Sequence, residues 1–365
     1  NDYTGLGDWV ANKERLPFGI KGLADRIEEM GMKFGLWFEP EMVNKDSDLY
    51  RAHPDWILHA PQRASCHGRN QYVLDFSRKE VVDCIYDMMY KILSESKISY
   101  IKWDMNRSIT ECYSVALPAD RQGEVFHRYI LGVYNLYDRL TTAFPQILFE
   151  SCASGGGRFD PGMLYYAPQG WNSDDTDAAE RVRIQYGTSM CYPISSMGSH
   201  VSVVPNYQLN RITSLHTRAN VAYFGTFGYE LDLNKLTDEE IAEVKAQIIF
   251  MKEYRELIQF GNFYRLKSPF DGNETVWMTV SEDKRKALVF WYRERNVVNA
   301  EFTRVRLQGL DPDLIYKNEY NGTENYGDEL MNLGLLTTDV TAGEPTNEDL
   351  PCTDYESRIY VLTAE

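Results

Sequence analysis

Short apolar runs rich in β-branched and aromatic residues alternate with longer stretches of 3.6-residue apolar rhythm over roughly the first 265 positions. Seven runs read as strands: 33–38, 72–76, 100–104, 147–152, 169–173, 190–196 and 222–228. Residues 19–30, 79–94, 124–143 and 238–258 read as helices. Thr237 is placed to cap the last of these, and two acidic residues suit its first turn. Such alternation predicts βα units around a parallel sheet, and spacings of about 25 to 50 residues per unit fit a (β/α)8 TIM barrel. A barrel needs eight strands and seven are visible, so the expectation is a fragment whose first barrel strand precedes Asn1. A seven-stranded or open barrel is the alternative.

After Pro269 the period changes to two, with short runs at 275–281, 287–292, 301–307 and 357–362 and a turn at Asn321-Gly322. No long helix intervenes, which predicts a small antiparallel β-sandwich. The expected organisation is therefore a barrel over 1–266 and a C-terminal sandwich over 267–365.

Charge narrows the choice of partner. With 38 Lys and Arg against 54 Asp and Glu among 365 residues, the net charge is −16. A phosphate backbone would be repelled, so nucleic acid is not expected as a partner. No apolar run reaches the roughly 20 residues that cross a bilayer, so no membrane partner is expected. Six cysteines (Cys66, Cys84, Cys112, Cys152, Cys191 and Cys352) show neither CxxC pairing nor zinc spacing, which favours a reducing, cytoplasmic setting without a metal. His67 and His200 lack a second ligand at metal spacing and read as polar loop residues.

In a parallel barrel the chemistry lies where strands end. In Lys102-Trp103-Asp104-Met105-Asn106-Arg107, alternation puts Lys102 and Asp104 on one side and Trp103 on the other. An ammonium beside that carboxylate would keep it ionised, as a nucleophile requires, although a structural Lys–Asp pair has the same pattern. The carboxylates of Trp171-Asn172-Ser173-Asp174-Asp175-Thr176-Asp177 are close enough to disfavour one another's ionisation, so one could serve as general acid. Asp177 equally suits a cap on a helix over 178–187. One ionised and one protonated aspartate are the equipment for glycoside hydrolysis. In the small-residue stretch 150–160, glycines can approach a ligand closely, but no phosphate-cradle pattern is present. Trp37, before Glu39 and Glu41, offers an indole platform for a sugar face, and Arg69 a fork of donors; core packing and a surface ion pair are the plain alternatives.

These stretches resemble glycoside hydrolase family 36, the bacterial α-galactosidases, and the likeness runs in order from Leu6-Gly7-Asp8-Trp9 through Trp37-Phe38-Glu39-Pro40-Glu41 to the C-terminal sandwich. The resemblance implies a retaining hydrolase that removes terminal α-galactosyl groups from melibiose- and raffinose-type sugars without a cofactor. It implies Asp104 as nucleophile and Asp174 as acid/base, with Asp175 adjoining. Trp37, Arg69, Lys102, Cys152 and the backbone near Gly155 would line the galactose pocket, with Asn106 beside the nucleophile and Trp171 near the leaving group. The oligosaccharide is the expected partner, and a homo-oligomer, as large as a tetramer, is expected of the full-length protein. An Asp-Asp-Gly-Trp segment and a large β-sandwich that precede this region in full-length relatives are not in this sequence. Three alternatives stay open: a galactose-binding fragment without turnover, an α-N-acetylgalactosaminidase of the same fold, and a metal-assisted enzyme using Asp174, Asp175 and Asp177.

Overall fold

The computed structural model describes residues 3–297, 302–337 and 354–364; Asn1, Glu301 and Cys352 lie outside them. Two compact units divide the chain at Asp174/Asp175.

In the first unit, α1 (Gly19–Glu29) leads into β1 (Phe34–Phe38). An excursion follows, made of β2 (Met42–Asn44), α2 (Asp48–Ala52) and β3 (Gln71–Val73). Then come α3 (Lys79–Glu95), β4 (Ile98–Trp103), α4 (Val125–Ala143), β5 (Leu148–Ser151), α5 (Pro161–Tyr166) and β6 (Gln169–Gly170). Strands β1, β4, β5 and β6 form one parallel sheet in that order. Its register pairs Phe38 with Trp103, Trp103 with Ser151, and Ser151 with Gly170. Four strands thus end level, and Glu39, Asp104, Cys152 and Trp171 follow them along one rim.

Helices α3 and α4 bury the faces their rhythm announces: Val82, Ile85, Met89 and Leu93 on one, Tyr129, Val133, Leu136 and Leu140 on the other. Trp103 points away from Lys102 and Asp104, as alternation requires, and stacks on Tyr137 of α4 at 3.9 Å. The run 72–76 departs from expectation. It is not a barrel strand, because β1 pairs directly with β4, and β3 instead runs antiparallel to β2. Tyr72, Val73, Leu74 and Phe76 are all buried, and a short buried run has the same apolar composition in either setting.

The second unit contains α6 (Ala178–Ser189), β7 (Gly198–Ser202), α7 (Leu215–Ala222), β8 (Thr226–Glu230) and α8 (Asp238–Phe260). β7 and β8 are parallel neighbours. Two expected strands shift here: 190–196 is a turn with a 3-10 segment at Ile194–Ser196, and 222–228 straddles the end of α7 and the start of β8. Pro193 lacks the N–H a ladder needs, whereas the true strand is largely small and polar, so composition pointed to the wrong side of residue 197. The α8 cap is as expected: Thr237 and Glu240 form a reciprocal capping box.

A six-stranded antiparallel sheet follows, built from β9 (Asn262–Lys267), β10 (Glu274–Val280), β11 (Lys286–Arg293), β13 (Ile315–Asn318), β14 (Glu324–Tyr326) and β16 (Glu356–Ala364). Over it lie α9 (Gly327–Asn332) and the pair β12 (Arg304–Val305) and β15 (Leu335–Leu336). Val276, Met278, Val289 and Trp291 of the sheet share a buried core with Val305, Leu310, Leu330 and Leu335. The run 301–307 contracts to β12, and β9 is a strand the pattern did not announce. Asn321-Gly322 forms the turn between β13 and β14, with Gly322 at φ +72°. Among the described residues no helix is long and apolar enough to cross a membrane.

Candidate active site

Asp104 leaves the end of β4 almost buried, 7% exposed, with its main-chain N–H bonded to Phe38 O at 2.8 Å. Donors surround its carboxylate. Oδ1 accepts the Met105 N–H at 2.8 Å, and Oδ2 accepts Asn106 Nδ2 at 2.6 Å and Trp37 Nε1 at 3.3 Å. Cys152, buried at the end of β5, also hydrogen-bonds to Asp104. Burial pushes its thiol pKa well up, with the Asp104 charge adding and Lys102 opposing, so the sulfur is a neutral donor.

Lys102 shares the Asp104 side of the strand, but its ammonium reaches Glu150 Oε1 at 3.0 Å, which replaces the expected Lys102–Asp104 pair. The same ammonium sits 4.4 Å over the Trp171 ring. Glu150 is buried and also accepts from Tyr100 Oη and from Gln169 Nε2, the latter at 2.7 Å. Glu150 and Trp171 thus hold the ammonium end of the lysine, and Tyr100 and Gln169 hold Glu150.

Trp171 links this group to the second aspartate, because its Nε1 donates to Asp174 Oδ1 at 3.0 Å. Asp174 is exposed, in contrast to Asp104. The glycine-rich loop is packed against the main chain that carries Asp174. A Cβ on Gly155, at φ +84°, would lie 2.9 Å from Asp174 N, and one on Gly156 would lie 2.5 Å from Asn172 O. The glycines therefore let two protein segments meet. Ser154, from this loop, donates to Asn106 Oδ1 at 3.1 Å.

The three acidic residues after Trp171 have different partners. Asp177 caps α6 through Ala179 N and Glu180 N, at 3.0 and 3.1 Å, and pairs with Arg211. Asp175 Oδ1 accepts from Asp177 N at 3.0 Å. Among the described residues no three His, Cys, Asp or Glu side chains gather to hold a metal ion. His67 lies against Tyr72, and His200 sits inside β7 beside Glu230 rather than in a loop.

Trp37 is 43% exposed and faces a groove of about 1240 Å³, whose walls include Trp9, Glu39, Arg69 and Gln71. Arg69 is exposed and takes φ +53°. Behind the rim, Glu41 is fully buried and accepts from both terminal guanidinium nitrogens of Arg158, at 2.8 and 2.9 Å, together with Trp103 Nε1 at 2.9 Å and Tyr129 Oη. The sequence pattern missed the parts played by Glu39, Glu41, Glu150 and Ser154. A signal existed for two of them, since Glu39 lies two residues after Trp37 and Glu150 two before Cys152, each on the same side of its strand.

Known proteins can be set beside this geometry. Residues 1–261 match the Melibiase family and 274–362 the Glycosyl hydrolase family 36 C-terminal domain. Alpha-galactosidase AgaA of Geobacillus stearothermophilus is 55% identical over 92% of this chain and 46% of its own length. Alpha-galactosidase Mel36A of Lactobacillus acidophilus is 52% identical over the same shares. A crystal structure of a variant of AgaA in complex with raffinose superposes with a TM-score of 0.94 at 51% identity, covering 100% of this chain and 49% of that one. The chain spans about half the length of the curated relatives it matches. Its fold is theirs over the shared region, a TIM barrel followed by a C-terminal antiparallel sheet domain. With both family models matching along its length and identity above half to a curated relative, the chain belongs to the melibiases of glycoside hydrolase family 36.

Proposed function

We propose that the protein is a retaining α-galactosidase acting on galacto-oligosaccharides of the melibiose and raffinose type. The observation that carries this reading is the unequal pair of carboxylates on one rim. Asp104 is buried among hydrogen-bond donors, and exposed Asp174 is tied to the same cluster through Trp171 and Lys102. The raffinose bound by the relative supports the choice of substrate.

In the first step an Asp104 oxygen bonds to the anomeric carbon as the glycosidic C–O bond breaks, and Asp174 gives its proton to the departing oxygen. Water then attacks the same carbon, Asp174 takes a proton from it, and Asp104 leaves with its electron pair. Two inversions give net retention. Trp37, Arg69, Lys102, Asn106 and Cys152 orient the galactose, the backbone at Gly155 approaches it closely, Trp171 serves the leaving-group side, and Asp175, next to Asp174 in the chain, belongs to the substrate-binding set. The thiols of Cys66, Cys84, Cys112, Cys152 and Cys191 are free, which suits a reducing, cytoplasmic compartment, and the family resemblance extends to a homo-oligomer.

Proton NMR during hydrolysis of p-nitrophenyl α-galactoside tests the reading. α-Galactose must be the first product, appearing before mutarotation; β-galactose first, or no hydrolysis at all, contradicts it.

A further inference from the structure

Glu39 has no role in the two steps above, yet it touches the residues that hold Asp104. It follows Trp37 by two positions, and its side chain is fully buried. Oε1 accepts the main-chain N–H of Asn106 at 2.8 Å, and Oε2 accepts Gln71 Nε2 at 2.8 Å. Asn106 then carries its own side-chain N–H to Asp104 Oδ2 at 2.6 Å, while its Oδ1 takes Ser154 Oγ. Among the described residues Glu39 forms no salt bridge, so its charge is held by neutral donors. The charged groups acting on it are Asp104, from the end of β4, and Arg69, from the loop before β3. Glu41, on the same run, is taken up by Arg158. Lys102 and Cys152 are near Asp104 from β4 and the end of β5.

We propose, building on the reading of Asp104 as nucleophile, that Glu39 is a positioning residue. Its carboxylate clamps the main chain of Asn106 so that the Asn106 amide holds Asp104 Oδ2, and its negative charge acts on the Asp104 carboxylate. Burial pushes the Glu39 carboxyl up; the bonds from Asn106 oppose this, Asp104 adds to it, and Arg69 pulls it down.

Glu39→Gln separates charge from shape. Gln71 Oε1 is buried without a hydrogen-bond partner, so turning that amide over gives the new side chain an acceptor, and Asn106 N–H keeps its own. The experiment is a carbon-13 titration of the Asp104 carboxyl, assigned with Asp104→Asn, alongside hydrolysis by Glu39→Gln and Glu39→Ala with thermal melts as a folding control. In the parent the Asp104 carboxyl signal should move as Glu39 ionises, and in Glu39→Gln that movement should be lost. Hydrolysis at neutral pH should stay within about threefold in Glu39→Gln and fall by about tenfold or more in Glu39→Ala, in kcat rather than KM. Superimposable titration curves, or full activity in folded Glu39→Ala, would overturn the proposal. A parent that hydrolyses nothing refutes the catalytic reading, while the titration still decides the role of Glu39.

Discussion

Asp104 and Asp174 differ in surroundings more than in chemistry. The first is nearly enclosed and takes bonds from Trp37, Asn106 and Met105, whereas the second is exposed and accepts the Trp171 indole N–H. The donors around Asp104 fix its oxygens for attack on an anomeric carbon, and the indole N–H orients Asp174 towards a departing oxygen. Replacing Asp174 with Asn should therefore slow raffinose, whose leaving group needs a proton, by roughly 10²–10⁴-fold, and should slow p-nitrophenyl α-galactoside much less. Steady-state kinetics on both substrates checks this, and equal losses would count against Asp174 as proton donor. Strand alternation made the pairing of Lys102 with Asp104 reasonable from sequence. The structure sends the ammonium to Glu150 because β5 lies in register beside β4, and no local spacing carries that tertiary fact.

At the scale of elements, rhythm and caps were legible. The predicted α3, α4 and α8 end within two residues of their observed ends, and Asp177 and Thr237 cap as their positions suggest. Strands were harder to place. A buried excursion such as β3 and a central parallel strand have the same apolar composition, and β7 is too polar to announce itself. Close approach of elements also escapes the pattern. Gly132 sits within α4 where a Cβ would collide with the carbonyl oxygen of Phe76. Helix propensity favours Gly132→Ala by about 1 kcal/mol. The clash should outweigh this, since overpacking costs about 1–3 kcal/mol, so denaturant unfolding should show the variant destabilised.

Just before α4, Arg121 and Arg128 hold the exposed Glu124 carboxyl down at about 2. A depressed native pKa means stability present above the unfolded value of about 4.5 and lost as pH falls towards about 2. Solvent screening keeps the effect small. Thermal melts of Glu124→Gln should accordingly lie slightly below the parent at pH 6 and converge with it as the pH approaches 2.

For the whole molecule, the fold class and the place of the candidate rim residues at strand ends were readable because a parallel βα order sends strand ends to one edge. Supporting groups such as Glu39, Glu41 and Glu150 were not, because a buried carboxylate is defined by partners distant in sequence: Arg158 lies 117 residues from Glu41. The chain covers about half the length of its curated relatives, so the function of the 365 residues has to be measured on them directly. A fluorinated α-galactosyl donor that forms its glycosyl-enzyme faster than it is hydrolysed, followed by peptide mass spectrometry, identifies the attacking group. One fluorogalactosyl increment on the peptide containing Asp104, absent from Asp104→Asn, is the predicted result; a label on any other residue, or turnover to the β-configured fluorogalactose with no labelled peptide, would contradict it.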